Sequence, residues 1–315
     1  MDYTPHISIC IPAYKNIKHL KRLLDSVQKQ TFLNFEVILT DDSADDSIKY
    51  FIENTNYHYP IRYYKNIPAA GSPENWNISI SHTIGKWIKI MHDDDWFSDE
   101  NSLNEFYKSS LKENTSFIFS GFKNVFFEKG ITSISTIKRL EIILLKISPL
   151  SIYKKNFIGH PSTTLIKNNR SEWFDNKLKW VVDIEFYLRL LFEKNSFCAI
   201  RKPLISIGMG TEQITQSSFN NLQIELPENF YLLQKLGDHV LKNIFVYDHF
   251  WRLIRNLDIK SIEEIKVYTK NIEIPAEIEM MVNKIKKIGN KKLKRNRFLS
   301  KLYMIKRYGF YLLRR

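Results

Sequence analysis

Three consecutive carboxylates, Asp93, Asp94 and Asp95, follow the apolar run Trp87-Ile-Lys-Ile-Met91 after a single histidine, His92. Like charges this close raise one another's pKa, so such a cluster is costly unless something cationic or richly hydroxylated meets it. A divalent metal, a sugar hydroxyl array, or both would serve. The competing explanation is a solvated acidic turn, with Asp99 capping the next helix. A second acidic pair, Asp41 and Asp42, closes another apolar run, Phe35-Glu-Val-Ile-Leu-Thr40. As ordinary turn residues they would leave Ser43 and Asp46 to cap the following helix.

The elements that must carry these groups are legible from periodicity. Ile7 to Ile11 reads as a buried strand ending at Pro12, and Leu20, Leu23, Leu24 and Val27 recur at helical spacing after it. The strand at Phe35 to Thr40 is followed by a helix near 46–54, a strand at Ile61 to Tyr64, a helix near 75–83 and the strand that presents the Asp run. Further on come a strand at Phe117 to Ser120, a helix at Arg139 to Ile147, a short strand at Ser162 to Ile166 and a helix at Val182 to Glu193. Alternation of this kind predicts an α/β fold with a mainly parallel sheet flanked by helices. In open α/β sheets ligands bind beyond the carboxyl ends of the strands, which is where both acidic groups would lie. No GxGxxG follows a strand and no GxxxxGK[ST] occurs, so any phosphate must be held by metal and side chains.

The chain has 315 residues, 43% of them hydrophobic, enough for a full core. Its two cysteines, Cys10 and Cys198, lie in apolar segments and suit buried thiols better than a disulfide or a structural zinc site. The expected location is cytoplasmic, because no apolar run reaches the length of a membrane span and Met1 to His6 does not resemble an export signal. The formal charge of +13 is concentrated at the C-terminal end: residues 280–315 hold thirteen of the 47 Lys and Arg and none of the 34 acids. The remaining 34 basic and 34 acidic residues cancel. A neutral body with a cationic extension argues against nucleic acid as a partner.

In this order, the motifs resemble a family 2 glycosyltransferase with the GT-A nucleotide-sugar-binding fold, over about residues 6–210. They are Ser8-Ile-Cys-Ile-Pro-Ala-Tyr-Lys-Asn16, Gln30-Thr-Phe with Phe35-Glu-Val-Ile, Asp41-Asp42-Ser43, Asn75-Trp-Asn77 before Gly85-Lys-Trp-Ile, the Asp run, and Phe174-Asp with Asp183-Ile-Glu-Phe-Tyr-Leu-Arg189. The resemblance implies sugar transfer from a nucleotide-sugar donor to an acceptor hydroxyl, with inversion. It places Asp42 on the nucleotide base with Pro12 and Tyr14 beside it, and Asp93 near the ribose and pyrophosphate. Asp95 is counted with the same nucleotide-sugar-binding set. Asp94 is then the metal ligand, for manganese or magnesium, and Asp183 the general base. His92 stands where the common Asp-x-Asp-Asp pattern has its first Asp, and Ser43 where Asp-Asp-Gly-Ser has Gly. Many relatives supply a late histidine to the metal; Gly208 to Thr215 has none and offers only Glu212 or Gln213. His160 falls where the acceptor is expected, and Trp76, Trp87 and Trp96 read as core or lining residues, with Trp96 equally able to stack on a sugar.

Three regions are expected: a GT-A domain over 1–215, a helical C-terminal region over 216–283, running through Tyr231 to Arg255, Ile262 to Asn271 and Ala276 to Lys287, and a basic amphipathic tail over 284–315. Phe298, Leu302, Ile305 and Leu312 fall on one helical face of that tail among Lys301, Lys306 and Arg307, which suits peripheral attachment to an anionic membrane surface on the inner face of the cell membrane. The acceptor expected with it is a glycan or lipid-linked glycan, as in O-antigen or capsule assembly. A nucleotidyltransferase is the alternative enzyme, and a non-catalytic glycan- or nucleic-acid-binding protein using the tail is the alternative outside catalysis.

Overall fold

The computed structural model describes residues 4–169, 171–193, 196–210, 221–270 and 272–313. It divides into two compact units, the first made of Met1–Pro149, Phe157–Asn176 and Val182–Thr211, the second of Leu150–Asn156, Lys177–Val181 and Glu212–Arg315.

In the first unit the strands are β1 (Ile7–Ala13), β2 (Phe35–Asp41), β3 (Ile61–Lys65), β4 (Trp87–Ile90), β5 (Trp96–Phe97), β6 (Phe117–Phe126), β7 (Ile131–Ser135), β8 (Thr164–Lys167) and β9 (Phe197–Met209). They form one sheet in the order β3-β2-β1-β4-β8-β6-β9-β5, with β7 paired to β6. The half that carries the acidic groups, β3-β2-β1-β4, is parallel throughout. It is the half the alternating pattern predicts. Its strands β1, β2 and β4 are buried along their whole length, which is why they read as continuous apolar runs rather than alternating ones. Beyond β4 the pairing turns antiparallel to β8 and on to β6, and the long β6–β9 pair is parallel with a bulge around Ser120 and Gly121.

The helices of this unit are α1 (Ile17–Gln28), α2 (Ser47–Glu53), α3 (Glu74–Ser81), α4 (Ser102–Ser110), α5 (Arg139–Ile147) and α6 (Val182–Glu193). Leu20, Leu23, Leu24 and Val27 of α1 are fully buried, and Asn16 caps the helix by accepting the His19 N–H at 3.1 Å. β4 is held in register from below by a polar knot: Glu36 accepts from the Ser8 hydroxyl (2.6 Å) and the Ile84 N–H (2.8 Å), while Ser8 accepts the Gly85 N–H (2.9 Å). Gly85 has no room for a side chain, since a Cβ there would lie 2.5 Å from Ser8 Oγ and 2.8 Å from Ser8 N.

The second unit is helical: α7 (Leu222–Leu236), α8 (Ile244–Leu257), α9 (Ile262–Thr269), α10 (Ala276–Ile288), α11 (Asn290–Arg295) and α12 (Arg297–Leu313). The helical run expected through Tyr231 to Arg255 is broken. Gly237 takes φ +83, a short 3-10 turn follows over Asp238–Lys242, and Asn243 caps α8 by accepting the Phe245 N–H at 2.9 Å. Residue 284, the expected start of the tail, lies inside α10, and the polybasic run continues through α11. α12 is docked, burying Ser300 and Met304. Ser300 accepts the Trp251 indole N–H (3.0 Å), Arg307 pairs with the buried Glu277 (2.7 Å) and the Tyr308 hydroxyl donates to the Lys242 carbonyl (2.7 Å). The stripe of Phe298, Leu302, Ile305 and Leu312 faces outward, exposed by 47 to 74%. No helix among the described residues is long and apolar enough to cross a membrane.

Gly85→Ala is expected to destabilise the protein by about 2 kcal/mol through overpacking against the Ser8 backbone. A urea melt of the variant against wild type measures it, and an unchanged midpoint would show that the knot yields.

Candidate active site

The acidic loop leaves the C-terminal end of β4 and folds back on itself, the Asp95 N–H donating to the His92 carbonyl at 3.0 Å. His92, Asp94 and Asp95 each offer one ligand atom within 4.8 Å of the others. Burial, above all, holds the His92 imidazole neutral, its pKa down to about 4. Its Nε2 is buried without a hydrogen-bond partner among the described residues, and so is Asp95 Oδ1. Unsatisfied buried polar atoms are expensive, and both belong to side chains that cluster with the Asp94 carboxylate. A neutral imidazole with two carboxylates is a donor set that fits manganese or magnesium. His92, the departure from the Asp-x-Asp-Asp pattern, therefore joins Asp94 in the candidate cation site, and Asp95 with them. Glu212 and Gln213 lie outside the described residues.

The surrounding elements explain how the loop tolerates its charge. Burial and then the Asp94 charge push the Asp93 carboxyl up to about 7, although it accepts the Tyr14 N–H at 3.0 Å. The same two causes hold Asp95 well above the usual carboxylate range, against the opposing pull of the Ser162 hydroxyl and the Lys89 charge. Two cations that the sequence reading passed over lie beneath the loop. Arg22 of α1 donates to the Asp94 carbonyl at 2.8 Å and is sandwiched by the Trp96 and Phe127 rings, 4.0 and 4.6 Å from their centroids. Trp96 is thus engaged with Arg22. Lys89 is fully buried in β4, its ammonium bonded to the Ser162 carbonyl and lying 5.0 Å from the Phe106 ring centroid. Burial brings its pKa down to about 7, opposed by Asp95. From the other side β9 closes down: a Cβ on Gly208 would stand 2.5 Å from the Asp94 carbonyl oxygen, so only glycine fits.

The second acidic pair is spent differently. Asp41 is buried and bonded to the Tyr63 hydroxyl (2.7 Å), Lys65 (2.9 Å) and the Ser43 N–H (2.8 Å). Asp42 accepts from Asn66 (2.6 Å) and the Ala70 N–H (3.0 Å) on one oxygen and from the Gly71 N–H (2.7 Å) on the other. It holds the loop between β3 and α3. Pro12 is buried in β1 opposite Thr40, whereas the Tyr14 side chain is 54% exposed at the mouth of the site.

Asp183 lies in the first turn of α6, its Oδ1 accepting the Ile184 N–H at 2.8 Å. An aromatic chain links this helix to the acidic loop. His92 packs on Trp76 (4.6 Å between centroids), Trp76 on Phe174 (5.1 Å) and Phe174 on Phe186 of α6 (4.4 Å), with Asn77 bonded to the Phe174 backbone on both sides. Trp76 is therefore a lining residue and Trp87 a core one, 3% exposed. His160 borders the same cluster, its pKa lowered by burial and held up in part by Asp94.

A family model described as glycosyl transferase family 2 matches residues 8–169. An uncharacterized glycosyltransferase of Haemophilus influenzae is 24% identical over 308 residues, covering 90% of this chain and 99% of that protein. A Campylobacter jejuni protein named GalNAc(5)-diNAcBac-PP-undecaprenol beta-1,3-glucosyltransferase is 24% identical over 209 residues, 60% of this chain and 63% of that one. Among solved structures, residues 1–349 of S. aureus TarS in complex with UDP-GlcNAc superpose with a TM-score of 0.66 at 16% identity, covering 96% of this chain and 89% of that one. That likeness is one of fold.

Lys89 gives the site a stability signature. Its folded pKa lies below the unfolded value of 10.5, so between pH 7 and 10.5 the unfolded chain binds the extra proton and stability rises with pH across that window. Lys89→Met is expected to remove this rise, as read from urea midpoints at a series of pH values. The same slope in both proteins would place its origin elsewhere.

Proposed function

Because the chain belongs to glycosyl transferase family 2, we propose that it moves a sugar from a UDP-sugar, a hexose or an N-acetylhexosamine, to a hydroxyl of a lipid-linked glycan, with inversion at the anomeric carbon. The observation that carries this reading is the convergence of His92, Asp94 and Asp95 with two unpartnered buried acceptor atoms at the end of β4. These side chains would hold a manganese or magnesium ion, which when bound supplies neutralisation of the charge on a leaving nucleoside diphosphate.

The chain's own residues supply the rest. Asp93, anchored to the Tyr14 backbone, faces the ribose and pyrophosphate, and its raised pKa suits a carboxyl that donates or accepts a hydrogen bond to a hydroxyl near neutrality. Pro12, Tyr14 and the loop gripped by Asp42 form the base-binding wall. Asp183 takes the proton from the attacking acceptor hydroxyl, and the aromatic chain through Trp76 and Phe174 fixes the helix that carries it. A single base on the face opposite the leaving group is what inversion requires.

The donor class is supported by the UDP-GlcNAc in the similar TarS fold, and the acceptor class by the undecaprenol-linked substrate in the Campylobacter relative's name. Peripheral attachment to an anionic leaflet is supported by α12, which leaves Phe298, Leu302 and Ile305 exposed beside exposed lysines and arginines. Nucleic acid has no part in this reading.

Calorimetry with UDP, GDP, dTDP and CDP, each with and without manganese, tests the donor site. Wild type is expected to bind one of them in a metal-dependent way, and Asp94→Ala to lose that dependence; a folded wild type that binds none would sink the proposal. Asp183→Asn is expected to bind the donor as wild type does while kcat falls by about 10²- to 10⁴-fold. A loss of donor binding instead would assign Asp183 to the nucleotide.

A further inference from the structure

The second unit contains a cavity of ≈ 760 Å³ among α8, α11 and α12, lined by none of the acidic-site residues and unused by the proposed reaction. Five of its lining side chains are cationic, Arg252, Arg255, Lys294, Arg297 and Lys301, against one carboxylate, Asp248. That carboxylate is already engaged twice, by Arg252 at 3.2 Å and Lys301 at 2.8 Å.

Arg255 is the informative member. It is 8% exposed, yet its three hydrogen bonds go only to neutral oxygens, two to Asn256 Oδ1 (3.1 and 2.9 Å) and one to Ser300 Oγ (3.0 Å). No carboxylate lies within ion-pair distance of it among the described residues. A buried guanidinium normally has an anionic partner, because desolvating the charge costs more than neutral acceptors return. Burial and then the neighbouring Arg252 and Arg297 charges lower its pKa, against the opposing pull of Asp248, so the net field at Arg255 is that of its cationic neighbours. Lys294 and Arg297 stand exposed at the rim. Along α12 from the mouth run Phe298, 74% exposed, Leu302 and Ile305.

We propose that this cavity is a phosphate-binding site, with Arg255 at its floor and Lys294 and Arg297 at its rim. Planar, forked guanidinium donors match phosphate oxygens, which explains the predominance of arginine. The phosphate can be carried by a lipid headgroup, whose acyl chains would lie along the Phe298–Leu302–Ile305 stripe, or by a soluble phosphoryl compound. The lipid case deepens the membrane reading given above and rests on it; the soluble case does not.

The test uses the full chain in EDTA, so that the acidic site takes no part, with inorganic pyrophosphate in calorimetry and with vesicles of phosphatidylcholine with or without phosphatidylglycerol in flotation. The variants are Arg255→Gln, the rim pair Lys294→Glu with Arg297→Glu, and a control pair of equal charge outside the cavity, Lys287→Glu with Lys291→Glu. We expect Arg255→Gln and the rim pair to weaken pyrophosphate or anionic-vesicle binding by about 10-fold or more, and the control pair by about 3-fold at most. The rim pair stands on exposed positions and keeps the test valid should Arg255→Gln fail to fold. Selective loss on vesicles identifies a lipid source, and selective loss on pyrophosphate alone a soluble one. Equal weakening by the control pair would reduce the effect to diffuse charge and overturn the site, as would a wild type that binds neither probe. Wild type that binds pyrophosphate but floats with no vesicle would retire the membrane reading and leave the cavity standing.

Discussion

Everything at the candidate active site depends on keeping three adjacent carboxylates folded in a loop with little access to water. The protein meets that constraint with basic side chains and with protons. Arg22 reaches up from α1 to the Asp94 carbonyl, Lys89 lies buried beneath the loop, and Asp93 and Asp95 have their pKa values raised by burial and by Asp94. This balance is incomplete, because His92 Nε2 and Asp95 Oδ1 find no hydrogen-bond partner among the described residues. A site balanced only in part is prepared to take up a cation and is costly to keep without one.

The fold serves that arrangement. Parallel β3-β2-β1-β4 places both acidic groups, Asp41–Asp42 and Asp93–Asp95, at the C-terminal ends of its strands, and the second half of the sheet brings its own elements against them. β8 begins next to Ser162, which bonds the His92 N–H and whose carbonyl receives Lys89, while β9 brings Gly208 over Asp94. In the helical unit Asp248 and Glu277 are each paired, and Arg255 has no carboxylate partner among the described residues.

The parallel half and the acidic runs were legible because they depend on local pattern: buried strands as apolar runs, carboxylates at their ends. Arg22 and Lys89 were not, since a lone basic residue among leucines or inside an apolar strand carries no sign of the charge it will meet across the fold. His92 was seen only as a departure from a pattern, and its place beside Asp94 and Asp95 needed the loop's reversal. The long β9 escaped because Arg201-Lys202-Pro203 interrupts its apolar pattern where β6 bulges. In the tail, periodicity marked the apolar stripe of α12 but not which face docks. That was decided by Trp251 and Glu277, partners distant in sequence.

The way Asp42 is bonded has a consequence for anyone wishing to re-engineer this protein toward another nucleotide. With three hydrogen bonds accepted across its two oxygens from Asn66, Ala70 and Gly71, the carboxylate acts as a hinge pin for residues 66–71, and a change of the residue would release that loop. Libraries aimed at donor preference would therefore keep Asp42 fixed and diversify the short loop it clamps, where shape can change without releasing a buried negative charge.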